Sequence, residues 1–254
     1  MDSQDSTPAN ARAGQKRRHA AQDVIRLVYR FRFEDGTKRD FEILLDAKTA
    51  ELRNAPRGAA ADWTELSYYQ CEHCPLPASV KRCPVAVNLA GLIEAFRDFS
   101  SYEKCIVEVE TAERTYIKRT TAQKGLSALI GIAMVTSNCP ILDQLRPMVR
   151  FHLPFGTPSE TIYRAVTMYL LSQYFVMRRG LTPDWELEGL KEIYKAVNLV
   201  NKWMTIRISN ATHKDANVNA VVILHSLADA VPHGIQNGLD DIEHLFEKYL
   251  HKSE

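Results

Sequence analysis

Four of the five cysteines occur in positions that favour a metal site. Cys71 and Cys74 form a C-x-x-C pair. Cys83 follows in the segment KRCPVA, and Cys139 lies far downstream in TSNCPILD. A C-x-x-C turn allows two sulfur atoms to bind one ion at a distance of about 2.3 Å from each. Two further thiolates complete a tetrahedron, so the pattern predicts a metal site formed by all four side chains.

Two of these cysteines are predicted at the starts of helices. Cys83 and Cys139 each precede a proline that opens an amphipathic pattern, and proline is favoured at the first position of a helix. The unpaired N–H groups and the helix dipole there stabilise negative charge, so we expect a lowered thiol pKa and a thiolate that can bind metal. Four thiolates suit zinc or an iron–sulfur cluster, and the sequence leaves that choice open.

Several other interpretations of these residues remain open. His73, inside the C-x-x-C pair, is a competing metal ligand. The cysteines also fit a metal-free redox cluster, or plain burial in an interaction scaffold, and Cys105 is predicted to be buried on a strand. A thiol-dependent enzyme is the competing function, with Cys139 as the nucleophile and His152 as its base. The sequence does not decide whether the protein is an enzyme.

Two further groups of polar residues are better explained by helix ends than by chemistry. Arg146, Arg150 and His152 could bind an anion, yet basic side chains at the end of a helix also offset its dipole. Asp215 begins a segment that loosely resembles a calcium loop but lacks the glycine and the later glutamate of that motif. We therefore predict that Asp215 is a helix N-cap.

Composition excludes several functional classes. The chain has 254 residues with a formal net charge of +1, whereas duplex-binding and membrane-surface proteins carry excess Lys and Arg. Binding to nucleic acid is therefore not expected. The longest apolar run, residues 125–135, is about half of the roughly 20 residues that cross a bilayer, and residues 1–22 lack an apolar secretory signal. We expect a cytoplasmic location, where cysteines stay reduced, and no membrane span.

The N-terminal half shows the pattern of an antiparallel sheet. Residues 1–22 are predicted to be a disordered tail, after which residues 25–33 and 41–45 alternate between apolar and charged. A three-residue loop, Asp35-Gly36-Thr37, keeps the apolar faces of the two strands in phase. The predicted apolar pairs are Phe31 with Phe41, Tyr29 with Ile43 and Leu27 with Leu45. The predicted ion pairs are Arg32 with Asp40, Arg30 with Glu42 and Arg26 with Asp46.

A second hairpin, a further strand and a helix complete this half. The hairpin joins residues 105–110 to 114–120, with Val107 opposite Ile117 and Glu110 opposite Arg114. Residues 63–69 are predicted to join the sheet, and residues 84–99 have the spacing of an amphipathic helix.

After residue 120 the helical patterns dominate. Thr157, Pro158 and Glu160 form an N-cap, a first-position proline and a capping box, which together predict a helix that ends near Arg178. Gly180 follows it, and Thr182-Pro183 is predicted to open the next helix. The remaining predicted helices cover residues 125–136, 140–149 and 215–230, and a terminal one carries Leu239 to Tyr249. The predicted fold class is α+β. A sheet subdomain with the cysteine-rich loop covers 23–120 and an all-helical subdomain covers 121–254.

The chain resembles a family of uncharacterised bacterial proteins with a domain of unknown function. The segments that carry the resemblance are YQCEHCPL, CPVAVNL, ERTYIKRT, GLSALIGIAMVTSNCPILDQLRPMVRFHLPF and PDWELEGL. The resemblance implies no activity and no catalytic residue. From the residues themselves we expect a metal that links the two subdomains in a binding or redox-sensing role, with a protein partner whose identity the sequence does not give.

Overall fold

The fold is α+β, as predicted. A computed structural model describes residues 23–54 and 61–250, so the predicted tail at residues 1–22 lies outside the described residues. Its sheet has four antiparallel strands in the order β2-β1-β3-β4. The strands are β1 (Val24–Phe33), β2 (Lys38–Asp46), β3 (Lys104–Glu110) and β4 (Thr115–Thr121).

The first hairpin forms with a different register from the predicted one. Tyr29, not Phe31, lies opposite Phe41, so the pairing is shifted by two residues and the apolar faces stay in phase. The loop closes one residue earlier than expected, because the N–H of Phe33 donates to the carbonyl of Thr37 at 2.9 Å. Gly36 has a φ of +88° in this loop, a left-handed conformation that glycine adopts at no steric cost.

The outer face of this sheet carries the arginines, and their charges are neutralised as predicted. Arg32 pairs with the predicted partner, Asp40, whereas Arg26 contacts Glu42 at 2.6 Å rather than the predicted Asp46. Arg30 instead reaches β3, where its guanidinium contacts Glu108 at 2.5 Å and Glu110 at 2.7 Å.

The second hairpin is shifted by one residue, which changes the face of every β4 side chain. Val107 lies opposite Lys118 and Glu110 lies opposite Thr115, so both predicted pairs are wrong. Ile117 consequently points outward, with 66% of its surface exposed.

The longer helices follow the predicted order. They are α1 (Pro84–Ala95), α2 (Ala122–Val135), α3 (Pro158–Arg178), α4 (Glu188–Ser209) and α5 (Ala216–Gln236). The capping box at the start of α3 is confirmed, since the Thr157 side chain accepts from the Glu160 N–H and the Glu160 carboxylate accepts from the Thr157 N–H. Gly180, just after α3, has the left-handed φ of +76° that ends many helices.

Several helix predictions were wrong in their bounds. Helix α1 ends at Ala95 rather than at residue 99, and α5 continues to Gln236 rather than ending at residue 230. Residues 140–149 form only a 3₁₀ turn at Leu142–Leu145 and one helical turn at Pro147–Arg150. Helix α4 begins at Glu188 rather than at Thr182-Pro183, after a left-handed Leu187 whose φ is +62°. The terminal pattern gives short turns at Asp240–Glu243, His244–Phe246 and Glu247–Leu250 in place of one helix.

The prediction of a strand at residues 63–69 was also wrong. Residues Asp62–Thr64 form a 3₁₀ turn, and Glu65 makes an isolated bridge to Arg82. The carbonyl of Thr64 accepts from the N–H of Cys83 at 2.9 Å, so this segment pairs with the residues before α1 and not with the sheet.

One buried core joins the sheet to the helices. The inner face of β1 and β3 packs against α1 and α2, and α2 in turn packs against α5. The approach of α2 to the sheet is close at Gly125, where an added Cβ would lie 2.6 Å from Val107 Cγ2. The division of the chain at residues 120 and 121 stays a prediction.

Helix α5 is long and apolar enough to cross a membrane by length and composition, the one such helix among the described residues. Core helices of soluble proteins can have the same length and apolar composition. Helix α5 packs against α2, α3 and α4 and carries a contact of 3.4 Å between His225 and Asp229. The structure is compatible with a soluble protein, and the cytoplasmic location stays a prediction.

Candidate functional site

The four cysteines predicted as ligands come from three segments of the chain. Cys71 and Cys74 lie on the loop before α1 and are joined by a turn in which the Cys74 N–H donates to the Cys71 carbonyl at 3.0 Å. Cys83 is the N-cap residue of α1, as predicted. Cys139 follows α2 and is buried, like Cys83, whereas Cys71 and Cys74 are half-buried.

Cys139 does not have the lowered pKa that we predicted from a helix N-cap. Burial raises the pKa of its thiol, and this outweighs the backbone N–H groups of Leu142 and Ile141, which donate to the sulfur and lower the pKa. Cys139 precedes a 3₁₀ turn, Leu142–Leu145, which begins three residues later. The sulfur nevertheless has two N–H donors, an arrangement that stabilises a thiolate once its charge is compensated.

The thiols influence one another electrostatically across these segments. Burial, together with the smaller effects of Cys83, Cys74 and Cys139, raises the pKa of Cys71 to about 12. The pKa of Cys139 is likewise raised by Cys83 and Cys74. The four thiols are therefore coupled to one another electrostatically.

The described residues do not contain a formed metal site. In residues 23–54 and 61–250, no group of three or more His, Cys, Asp or Glu side chains has the geometry to hold a metal ion. A common metal bound by the four cysteines therefore stays a prediction, and it requires the sulfur atoms to move closer together.

A buried arginine lies beside these thiols. Arg207 on α4 has only 1% of its surface exposed. Its Nη1 donates to the carbonyl oxygens of Trp63 at 2.8 Å and Glu65 at 2.6 Å, and its Nη2 donates to the carbonyl of Leu66 at 3.3 Å. Its Nε is buried without a hydrogen-bond partner in the described chain.

The thiols, and not carboxylates, are the main electrostatic neighbours of Arg207. The salt bridges between described residues do not include Arg207. Burial lowers its pKa, while Cys83 and Cys71 are the groups that most raise it. An unpaired buried cation is costly, so this position favours negative charge on the neighbouring sulfurs.

His73 keeps one nitrogen available as a competing ligand. Its Nε2 donates to the carbonyl of Ala196 on α4 at 3.0 Å, because a carbonyl can only accept. The Nδ1 atom is buried without a hydrogen-bond partner among the described residues. This imidazole also ties the C-x-x-C loop to α4, the helix that carries Arg207.

Cys105 is buried, as predicted, and belongs to another part of the molecule. It lies on β3 opposite Thr120, with 4% of its surface exposed. Burial raises its pKa to about 11, helped by Glu103, and the other cysteines are not among the named causes of this shift.

His152 and Cys139 show no sign of forming a nucleophile and base pair. The Nε2 of His152 lies 2.5 Å from the hydroxyl oxygen of Tyr29, a fully buried residue of β1. Burial, together with a smaller effect of the positive charge of Arg164, lowers the pKa of His152 to about 3. His152 is therefore neutral at pH 7 and engaged with Tyr29, while the Cys139 thiol is buried and protonated.

The other polar groups support the interpretation as helix ends. Arg146 forms salt bridges with Asp143 and, at 3.3 Å, with Glu51, so its charge is already paired with carboxylates. Asp215 occupies the N-cap position of α5, as predicted, but its side chain makes no capping hydrogen bond to the helix. Its carboxylate accepts from the N–H of Ser101 at 2.7 Å and from the Ser101 hydroxyl at 2.9 Å.

Sequence reasoning missed a cavity of about 470 Å³ between the helices. Its wall is formed by α2, α3, α4 and α5 together with β4 and the chain that leads into α3. Most of the lining side chains are apolar, and Arg164 and Lys118 are among the polar ones. No local sequence signal marks this cavity, because each segment contributes only a few residues.

Comparison with known proteins identifies a family and nothing further. The model of one protein family, described as a domain of unknown function (DUF6901), matches residues 27–247. No curated protein and no solved structure matches the chain.

Proposed function

Since this chain belongs to the DUF6901 family of unknown function, we propose a role from its own residues: it binds a metal through Cys71, Cys74, Cys83 and Cys139. The metal holds the cysteine-rich loop, the start of α1 and the segment after α2 together. In this metal-bound form the protein binds a partner or senses redox state. The observation that carries the proposal is Arg207, a buried cation that interacts electrostatically with Cys83 and Cys71 and has no carboxylate partner in the salt bridges of the described residues.

The charge balance supports a metal thiolate centre. A divalent ion bound by four thiolates carries a net charge of about −2, which a neighbouring guanidinium partly compensates. The backbone N–H groups of Leu142 and Ile141 donate to the sulfur of Cys139, and such donors orient a ligand and stabilise its charge.

Zinc and an iron–sulfur cluster remain the two candidates for the metal. Zinc favours a tetrahedral set of four thiolates and would make the centre structural. A cluster uses the same ligands and would allow the centre to sense redox state. His73 Nδ1 is the alternative fourth ligand, since it is buried without a partner in the described chain.

A thiol-dependent enzyme is less well supported by the site. A catalytic thiol needs a lowered pKa and access to substrate, whereas burial raises the pKa of Cys139 and the residue is 8% exposed.

Metal content in matched cysteine variants tests the proposal. Full-length protein is purified without oxygen and without a metal-affinity tag, and Zn, Fe and sulfide are measured in wild type, Cys139→Ser and Cys105→Ser. We expect stoichiometric metal in wild type and Cys105→Ser and at least a tenfold loss in Cys139→Ser. His73→Gln separates the two ligand sets, because it keeps the metal if four cysteines bind. Equal metal content in both cysteine variants would refute the proposed ligands.

A further inference from the structure

The cavity between the helices is a second candidate site, and none of the cysteines lines it. It has a volume of about 470 Å³, within the roughly 300–1,000 Å³ typical of small-molecule pockets. Its apolar wall includes Leu142, Met148, Leu224 and Leu227, which come from the 3₁₀ turn, the chain before α3 and helix α5. A molecule that fills this space must therefore be largely apolar.

The charged side chains that line the cavity are all basic. Lys118, Lys124 and Arg164 line it, and no Asp or Glu is among the described lining residues. Lys118 lies over the ring of Phe155, with its Nζ 5.8 Å from the ring centre. The basic groups thus lie against an apolar surface, where an opposite charge is attracted more strongly than in water.

Arg164 is held in place without having its charge paired. Its Nη2 donates to the carbonyls of Met148 and Phe151, each at 3.0 Å, and salt bridges within the described residues do not include it. These bonds fix the guanidinium, and its other N–H groups have no hydrogen-bond partner among the described residues.

One carboxylate lies near this end of the cavity, and it is already engaged. Glu160 interacts electrostatically with Lys118 and Arg164. Its Oε2 accepts from the N–H of Thr157 at 2.7 Å and from the Thr157 hydroxyl at 2.9 Å, in the capping box of α3. Glu160 therefore lowers the positive charge at the cavity end without removing it.

We propose that this cavity binds an amphipathic small molecule with an anionic head and an apolar body. The head lies at Arg164 and Lys118, and the apolar body lies against Leu142, Leu224 and Leu227. His152 is neutral and is hydrogen-bonded to Tyr29. It forms a polar part of the wall but does not offer the anionic head a further positive charge. This ligand site does not depend on the metal proposed above.

Calorimetry with four probes of equal chain length tests the site. Octanoate, octyl phosphate, 1-octanol and octyltrimethylammonium are titrated into the full-length protein. We expect saturable one-to-one binding of an anionic probe, at least tenfold weaker binding of octanol, and no binding of the cation. A preference between octanoate and octyl phosphate identifies the head group, and either preference supports the proposal.

Variants locate the head and the body of the ligand. Lys118→Gln and Arg164→Lys should each weaken anion binding about threefold or more and leave octanol binding unchanged. Leu227→Trp should weaken all bound probes because it fills the cavity. Arg150→Gln is the matched control, since this exposed arginine does not line the cavity. Equal binding of octanoate and octanol, or no binding of any probe to folded wild type, overturns the proposal.

Discussion

The arginines of β1 and the arginine of α4 hold their charges in different ways. Arg30 lies on the outer face of the sheet, where its guanidinium contacts Glu108 at 2.5 Å and Glu110 at 2.7 Å. Arg207 is 1% exposed and donates to backbone carbonyls, with thiols as the nearby groups that can become negative. The charge of Arg30 is paired with carboxylates of the same chain. The charge of Arg207 acquires negative partners only if the cysteines bind a metal as thiolates.

Arg207→Met should have the largest effect on stability. The substitution leaves the carbonyls of Trp63 and Glu65 without donors and removes the cation beside the thiols. We expect a loss of about 3 kcal/mol or more in the free energy of unfolding, measured by urea denaturation. A loss below about 1 kcal/mol would contradict the distinction between the two arginines.

Removal of the metal should have the next largest effect. A ligand that binds only the folded state stabilises it, so a strong chelator should lower the stability of metal-loaded wild type by about 3 kcal/mol. This corresponds to a decrease of roughly 6–12 °C in Tm for a chain of this size. Cys139→Ser serves as the control, because its Tm should not respond to the chelator.

His152 is a buried base that is neutral at pH 7, whereas Arg207 is a buried cation. Burial lowers its folded-state pKa to about 3, below the ordinary value of 6.5, so only the unfolded state binds a proton between these values. The contribution of His152 to the free energy of unfolding is therefore fully present above pH 6.5 and is lost as the pH falls toward 3. We expect a loss of about 2 kcal/mol between pH 6.5 and 5.

The pH dependence of unfolding in His152→Gln isolates this contribution. The difference between wild type and variant should grow in favour of the variant as the pH falls from 6.5 to 5. A constant difference across this range would show that the imidazole is not buried in its neutral form.

Arg30→Gln should have the smallest effect. Ion pairs on the outer face of a sheet contribute little, because water and salt screen them, so we expect this variant to lose the least stability of those compared. Urea denaturation at low and high salt checks this, and the effect should shrink further at high salt. A loss as large as that of Arg207→Met would remove the contrast between the two positions.

Local patterns in the sequence were enough to predict most elements. The alternation along β1 placed Tyr29 and Phe31 on the buried face, and the Thr157 capping box placed the start of α3. The register of the first hairpin was missed because it depends on which residue of the loop adopts the left-handed conformation. That residue is Gly36, and a shift of two residues leaves the apolar pattern unchanged.

The candidate sites were harder to predict because they depend on distant contacts. The spacing of the cysteines indicated possible metal ligands. The position of Arg207 was not predictable in the same way, because its hydrogen bond to Trp63 joins residues that are 144 positions apart in the chain. Likewise, Arg164 lines a cavity that requires four helices to be in place. The N-cap pattern also misjudged the Cys139 thiol, since it did not include the cost of burial.

The metal content of wild-type protein tests the central claim most directly. Full-length protein is purified without oxygen and analysed for zinc, iron and sulfide, and its visible absorption is recorded. The account predicts either one zinc per chain without colour, or iron with matching sulfide and visible absorption. Protein with neither metal, which also fails to bind added zinc or iron, would contradict it and leave Arg207 beside neutral thiols.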